Sequence, residues 1–408
     1  MNSLRFTKFL RDVACWSWCF GLVVIALDFL AVQVDGKRVS LSYLFFAAAT
    51  AAAFWAEKRE FGSRIFLYRL HDSIIYSPWK FLLLYFLWIS VFSPFTADPM
   101  ASLLYATNGW LSLFTVGVAA QFIFCERGTQ GVILLPARLR LAFFFYSVTV
   151  GLLLLSTLAH LFFPQLPFGL LIDEQANLFL FFTIGFPFLI WDFLKRGRRL
   201  LPPWLTGLTM MLGAASTLLI ARHFYQASLA FALASVVALF VYKQMPWRRV
   251  LFLAAPLAAL AAALMVAIMA FLKSNGLWLL GLRYAQQLME SRMKTSVAPA
   301  VEILVRSKFL GEGLGLTSIR GVWPRVLAEA GVVGLVLYGA FFLSLGLSLY
   351  RVRRAPRVIV SNVSLISVAV FLFFVSHYVE NPYGAYVWVW YAIWTFFASA
   401  AKKKQVNP

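Results

Sequence analysis

The stretch LAEAGVVGLVLYGAFFLSLGLSLY, residues 327–350, decides the fold, because it is almost uncharged and long enough to cross a lipid bilayer as one helix. A crossing needs about 20 mostly apolar residues. Comparable runs recur along the whole chain, and together they predict twelve transmembrane helices. The predicted spans cover residues 12–33, 40–56, 79–95, 101–124, 141–163, 177–194, 202–220, 225–242, 250–272, 327–350, 359–376 and 383–400.

The composition agrees with an integral membrane protein. The 408 residues are 62% hydrophobic and only 13% charged, and the mean hydropathy is +0.81. A soluble globular domain is about 45–50% apolar and about 25% charged. Most of the surface must therefore face lipid, which excludes soluble multidomain, disordered and collagen-like chains. Three cysteines in apolar surroundings are too few for a disulfide framework.

The charges predict the orientation of the chain in the membrane. The net charge is +20, from 36 Lys and Arg against 16 Asp and Glu. Most of these cations lie in alternate loops, so the positive-inside rule predicts that both termini are cytoplasmic. In a membrane protein this excess of cations does not indicate a nucleic-acid partner. The exception is the outer segment 273–325, whose basic residues are Lys273, Arg283, Arg292, Lys294, Arg306, Lys308, Arg320 and Arg325.

This outer segment has two stretches with helical periodicity, WLLGLRYAQQLMESRM at 278–293 and VAPAVEILVRSKFL at 297–310. Both are typical of amphipathic helices that lie at a membrane interface. Two interpretations of the cations remain open. Each arginine can simply extend to lipid headgroups, or the cluster can bind an anionic ligand, since the arginine fork grips phosphate oxygens.

Other outer loops also hold polar side chains. Arg222 and His223 lie in a tight turn between the seventh and eighth spans, and Asp173 lies beside Glu174 in a loop where all other charge is absent. SHYVENPYG, residues 376–384, supplies His377 and Glu380, either as part of an aromatic belt with helix caps or as the wall of a polar site. GEGLGLTS at 311–318 resembles a phosphate loop only in its glycines, because it lacks the lysine.

Four stretches in this order resemble the O-antigen polymerase and O-antigen ligase superfamily. They are LWISVFSPFTADPMASLLYATNGW at 87–110, IDEQANLFLFFTIGFPF at 172–188, STLLIARHFYQASLAFALA at 216–234, and SRMKTSVAPAVEILVRSKFLGEGLGL at 291–316 followed by VLAEAGVVGLVLYGAFF at 326–342. The resemblance implies an all-α, GT-C-like membrane domain over 1–408. It also implies that 273–325 is a periplasmic insertion between the ninth and tenth spans of a bacterial inner-membrane protein.

The resemblance further implies a metal-independent, inverting glycosyltransferase without a cofactor. The donor would be a polyprenyl-diphosphate-linked glycan and the acceptor a glycan or lipid A-core, with membrane lipids and a chain-length regulator as further partners. Glu302 is a further candidate base beside His377, Glu380 and Asp173. The expected catalytic residues are Arg222, Arg292, His377 and Glu380, and the expected substrate-binding residues are Arg283, Lys294, Arg306, Arg320, Arg325, His223 and Asp173.

One departure from the family pattern bears on the reaction. Ligases, and many polymerases, carry a histidine just before the Glu-x-Gly element, where this chain reads GVWPRVLAEAG with Trp323, Pro324 and Arg325. These three residues cannot accept a proton near neutral pH, so the sequence favours a polymerase over a ligase. Two rivals remain: a lipid-linked glycan transporter, although the halves of the chain are not visibly similar, and a peptidoglycan polymerase.

Overall fold

A computed structural model describes the greater part of the chain as helices connected by short turns. The described residues are 3–25, 32–34, 37–39, 41–128, 131–162, 175–194, 199–219, 297–317, 319, 321–351, 358–373 and 383–402. The predicted eighth and ninth spans, 225–242 and 250–272, lie outside this part of the chain.

Within the described residues, the helices follow the apolar runs. They are α1 (Ser3–Ile25), α2 (Ser42–Ile75), α3 (Trp79–Phe92), α4 (Pro99–Ser112), α5 (Ala119–Phe124), α6 (Pro136–Phe162), α7 (Gln175–Leu194), α8 (Pro203–Leu219), α9 (Ala298–Arg306), α10 (Val322–Arg351), α11 (Val358–Phe373) and α12 (Ala385–Lys402). A 3₁₀ turn, Ser93–Phe95, follows α3, and a π-helical stretch, Leu113–Val118, joins α4 to α5. The helical class predicted from sequence is confirmed.

Two features differ from the sequence prediction. The chain contains two short antiparallel hairpins: β1 (Val32–Val34) pairs with β2 (Lys37–Val39), and β3 (Cys125–Gly128) pairs with β4 (Gly131–Leu134). In addition, α2 runs far beyond the predicted span 40–56, with non-helical backbone angles at Gly62 inside it. Hydropathy misses both features, because it records the end of an apolar run and not the end of a helix.

The described helices include segments able to cross a membrane. Pro99–Phe124 and Val322–Arg351 are long and apolar enough to do so by length and composition. Ser42–Ile75 and Trp79–Phe95 pass the same test as a pair and are bent by 86° relative to each other. These segments indicate that the protein associates with a membrane.

The last helix, α12, forms the centre of the core. Its sequence AYVWVWYAIWTFF is apolar on every face, and a helix of this kind is stable only among other elements or in lipid. Trp388, Trp390 and Trp394 are each at most 1% exposed. Trp388 stacks on Trp79 of α3 with ring centroids 6.2 Å apart. The aromatic residues of α12 therefore fix where α3 and its neighbours lie.

The segment from α9 to α10 is the part of the fold that builds a polar site. The amphipathic periodicity at 297–310 correctly predicts α9, which ends in a turn stabilised by the Lys308 amide donating to the Val305 carbonyl at 3.1 Å. A glycine-rich turn, residues 311–317, follows α9. At the start of α10, Pro324 lies in the first helical turn, where its missing N–H costs no intrahelical hydrogen bond. The helix α10 then breaks at Gly331, and the glycine-rich turn packs against this break.

Candidate functional site

Two glycines allow the backbone of the turn after α9 to lie in direct contact with the backbone of α10, at the point where α10 breaks. Gly311 has φ +87° and Gly331 has φ +68°, both in the left-handed region. A Cβ on Gly331 would lie 2.2 Å from the Phe309 carbonyl oxygen, and one on Gly311 would lie 2.6 Å from that of Glu329. The Val332 amide donates to the Phe309 carbonyl at 3.1 Å. A side chain at either glycine would force the two backbones apart.

The break in α10 also frees carbonyl groups that an intact helix would use internally. The amide of Glu312 donates to the Ala328 carbonyl at 2.9 Å, and the amide of Gly313 donates to the Glu329 carbonyl at 3.0 Å. The turn therefore supplies the donors that the broken helix lacks. This exchange holds Glu329 in a fixed position relative to the turn.

Glu329 is the central residue of the site and is only 2% exposed. Its Oε1 accepts three hydrogen bonds, from the Gly315 amide at 3.0 Å, the Thr317 hydroxyl at 3.2 Å and the Arg325 Nε at 2.9 Å. Its other oxygen, Oε2, is buried and has no hydrogen-bond partner among the described residues. We call Glu329, Gly315, Thr317 and Arg325 the Glu329 site. Its carboxylate combines a fixed position with one oxygen that can still accept a hydrogen bond.

A cavity of about 130 Å³ adjoins the Glu329 site. Thr96, Ser102, Ser307 and Glu329 are among the residues that line it, together with apolar residues of α3 and of the turn after α9. The Ser102 hydroxyl accepts the Leu314 amide at 3.2 Å, which joins the start of α4 to the glycine-rich turn. The cavity is therefore walled by residues from segments far apart in sequence.

The helix α3 closes the cavity on its apolar side. Trp88 Nε1 donates to the Ala330 carbonyl at 3.1 Å, so α3 is fastened to the break in α10. The buried hydroxyls of Tyr85 and Tyr383 share a hydrogen bond of 2.5 Å, which adds the residues just before α12. This hydrogen bond thus joins α3 to the end of the chain.

Two of the predicted site residues lie within the described chain, and both contact this region. Arg325 has a side chain only 13% exposed and forms an ion pair with Glu329. Arg306 is 68% exposed and forms an ion pair with Glu312 of the glycine-rich turn. The candidate base Glu302 is exposed on α9. The remaining predicted residues lie outside the described part of the chain: Arg222, Arg292, His377, Glu380, Arg283, Lys294, Arg320, His223 and Asp173.

The prediction of site residues missed Glu329 and the serine and threonine hydroxyls beside it. A signal for Glu329 was present, because it is the one acidic residue within the predicted span 327–350. An ionisable residue in a membrane segment is costly and is a functional hypothesis by default. No comparable signal marks Ser102 or Thr96, since their proximity to Glu329 depends on how α3 and α4 pack.

Trp323, one of the three residues of the stretch where a histidine was expected, packs against other aromatic rings. The Trp323 ring lies edge-on to Tyr338, with centroids 5.8 Å apart, and to Phe342 at 5.9 Å. Trp323 therefore extends the aromatic core of α10. The proton-accepting group nearest in sequence is the carboxylate of Glu329.

No family model and no curated protein matches this chain. The chemistry of the site is therefore argued from its geometry. In the described ranges, no group of three or more His, Cys, Asp or Glu side chains is placed to hold a metal ion. The groups that require an explanation are a buried carboxylate, its guanidinium partner and the cavity beside them.

Proposed function

We propose that this chain is a glycosyltransferase of a bacterial inner membrane that polymerises a polyprenyl-diphosphate-linked glycan, or transfers it en bloc. In this proposal twelve spans form a GT-C-like domain with both termini in the cytoplasm. The insertion 273–325 and the active site face the periplasm. The resemblance of the four motifs supports the superfamily, and the geometry of the Glu329 site supports a group-transfer reaction.

The observation that carries the proposal is a buried carboxylate and guanidinium beside a cavity of mixed polar and aromatic lining, inside a protein of largely apolar helices. Burying charges costs several kcal/mol per ion after relaxation, so a buried pair that also adjoins a cavity is a candidate for function. Glycosyl transfer from a diphosphate needs both kinds of group. A base assists the acceptor hydroxyl, and cations stabilise the leaving diphosphate.

The cations of the proposed site come from both sides of the glycine-rich turn. Arg325 is positioned by its Nε contact with Glu329, and a guanidinium suits phosphate recognition. The motif resemblance adds Arg222, Arg292 and Lys294 as further cations for the diphosphate. With positive charge supplied by side chains, the proposal includes neither metal nor cofactor.

The polymerase is preferred to the ligase because the stretch before the Glu-x-Gly element has no histidine. Ligases are expected to carry one there, where this chain has Trp323, Pro324 and Arg325, and Trp323 packs against Tyr338 and Phe342. The acceptor is accordingly proposed to be the end of a growing glycan, with lipid A-core as the alternative. Membrane lipids surround the enzyme, and a chain-length regulator is the proposed protein partner.

The test is an assay of the purified full-length protein in lipid nanodiscs with polyprenyl-diphosphate-linked glycan, with products separated on a gel. A ladder of products is expected for a polymerase. A single shift on added lipid A-core would indicate a ligase. Thermal unfolding checks that the protein is folded. If folded protein leaves the donor unchanged in both assays, the result would contradict the proposed function and favour the transporter.

A further inference from the structure

The helix α2 changes direction at Gly62, whose φ of +78° lies in the left-handed region. Glu57 and Arg69 are 12 positions apart, a distance of about 18 Å along the axis of a straight helix. Their side chains are nevertheless 2.6 Å apart. The rings of Phe54 and Phe66, with the same spacing in sequence, have centroids 5.3 Å apart. These contacts fix an elbow in α2, so its two parts do not share one axis.

The part of α2 after the elbow is apolar on two faces. We call this part, residues 63–75, the elbow helix. Its inner face packs on the protein, where the Phe66 ring also lies 6.4 Å from that of Phe122. Its outer face carries large apolar side chains that are more than half exposed: Ile65, Leu67 and Tyr68. A surface helix in water has a polar outer face, so the outer face of the elbow helix indicates contact with lipid.

The residues before the elbow indicate where the membrane surface lies. Trp55 is 57% exposed at the end of the apolar run of α2, and exposed tryptophan is enriched at membrane–water interfaces. Lys58 and Arg59, both exposed, follow it within about one helical turn. The helices α2 and α3 are bent by 86° relative to each other, so both cannot run along the membrane normal. These features are typical of a helix that lies along the membrane surface.

The exposed charge around the elbow is positive. Three cations on both sides of Gly62 are exposed: Lys58, Arg59 and Arg64. The two acidic residues beside them, Glu57 and Glu60, form ion pairs with arginines of α1 and α2. Asp72, the one acidic residue of the elbow helix, is half-buried. Exposed cations next to an exposed apolar face are complementary to phospholipids with anionic headgroups.

We propose that the outer face of the elbow helix, together with Lys58, Arg59 and Arg64, binds anionic phospholipids of the adjoining leaflet. The apolar side chains enter among the acyl chains, and the cations meet the headgroup phosphates. Lipid is favoured over a protein partner because the face continues directly from a segment able to cross a membrane. In the orientation proposed above, this leaflet is the cytoplasmic one. The inference is independent of the proposed glycosyl transfer.

The test is photolabelling of the full-length protein in phosphatidylcholine nanodiscs. Equal small amounts of phosphatidylglycerol and phosphatidylcholine, each with a diazirine near the headgroup, are added, and the labelled peptides are quantified by mass spectrometry. Residues 332–350 of α10, which expose apolar side chains and contain no cation, are the internal reference. We expect the anionic-to-neutral labelling ratio over 58–76 to exceed the reference at least ~fivefold, roughly the factor that one cation contributes at an anionic surface.

Charge removal then tests the cations. Replacing Lys58, Arg59 and Arg64 by Gln together should bring the ratio over 58–76 to that of the reference. The matched control replaces the exposed cations Arg140 and Arg351 by Gln and should leave the ratio unchanged. If the triple variant unfolds because Arg59 loses its contact with the Phe6 ring, 4.6 Å away, the variant Lys58→Gln with Arg64→Gln keeps that contact and should still lower the ratio.

Two results would overturn the inference. A wild-type ratio over 58–76 equal to the reference, or one that folded variants leave unchanged, would show that the cations do not recognise the headgroup. Absence of label over 58–76 from both lipids would show that water or another protein, and not lipid, lies against the elbow helix.

Discussion

Two buried glutamates in this protein differ in how their carboxylates are used. Glu57 on α2 is 6% exposed, and each of its oxygens has an arginine: Arg11 lies 2.9 Å from Oε1 and Arg69 lies 2.6 Å from Oε2. Arg11 also contacts Glu60 at 2.8 Å. We call Arg11, Glu57, Glu60 and Arg69 the Glu57 cluster. Its central carboxylate has both oxygens bonded and connects α1 to the two parts of α2.

Glu329 is as deeply buried but keeps one oxygen without a partner among the described residues. The comparison suggests that burial with a cation does not by itself distinguish a structural carboxylate from a reactive one. What distinguishes them is whether both oxygens are bonded and whether a cavity adjoins the group. The following predictions test this difference, from the largest expected effect to the smallest.

Replacing Arg325 by Met should have the largest effect on stability. The substitution removes the guanidinium and leaves the Glu329 charge buried, and breaking a buried pair costs about 3–5 kcal/mol. Arg11→Met is the matched change in the Glu57 cluster. Because Glu57 keeps Arg69 there, the loss should be only about 1 kcal/mol. Denaturation in detergent micelles measures both, and equal losses would mean that the two clusters are equivalent.

Replacing Gly331 by Ala should separate the glycine-rich turn from α10. The added methyl would lie 2.2 Å from the Phe309 carbonyl oxygen at a positive φ, so strain and displacement together should cost about 2–4 kcal/mol. Gly339→Ala on the same helix is the control, since nothing lies within 4 Å of its Cβ. The Gly339→Ala protein should unfold at the same temperature as the wild type or at a slightly higher one. A Gly331→Ala protein as stable as the control would show that the turn after α9 does not pack closely against α10 at Gly331.

Replacing Glu57 by Gln should lower stability without a specific effect on glycan transfer. One carboxylate oxygen then becomes an amide that faces an arginine, and we expect a loss of about 1–3 kcal/mol. The rate per folded molecule should stay within about threefold of wild type, because both oxygens of Glu57 serve internal contacts. The unfolding midpoint and the initial transfer rate of the same preparation check the two halves of this expectation.

Replacing Lys308 by Gly should have the smallest effect on stability, and unlike the other substitutions it should raise stability. Lys308 has φ +52° at the end of α9, in a position where glycine is usual. Relief of this conformation should stabilise the protein by about 1 kcal/mol. An unchanged or lower unfolding midpoint would indicate that the lysine side chain makes a compensating contact.

The sequence predicts much of the helical fold and less of the site, for physical reasons. Apolar runs indicate helices directly, and the periodicity at 297–310 is enough to predict α9 because local pattern determines it. The extension of α2 and the break at Gly331 depend on backbone geometry that hydropathy does not record. Arg325 and Arg306 were predicted from charge alone. Ser102 and Thr96 were not, because only tertiary packing brings them to Glu329.

The most direct test of the central claim is the ratio of transfer rates of Glu57→Gln and Glu329→Gln, each measured per folded molecule with polyprenyl-diphosphate-linked glycan. The two substitutions are chemically identical and both remove a buried carboxylate charge. We predict that Glu57→Gln transfers glycan at least ~100-fold faster than Glu329→Gln, the factor expected for a lost base. A ratio near one would contradict the assignment of Glu329 as the reactive carboxylate.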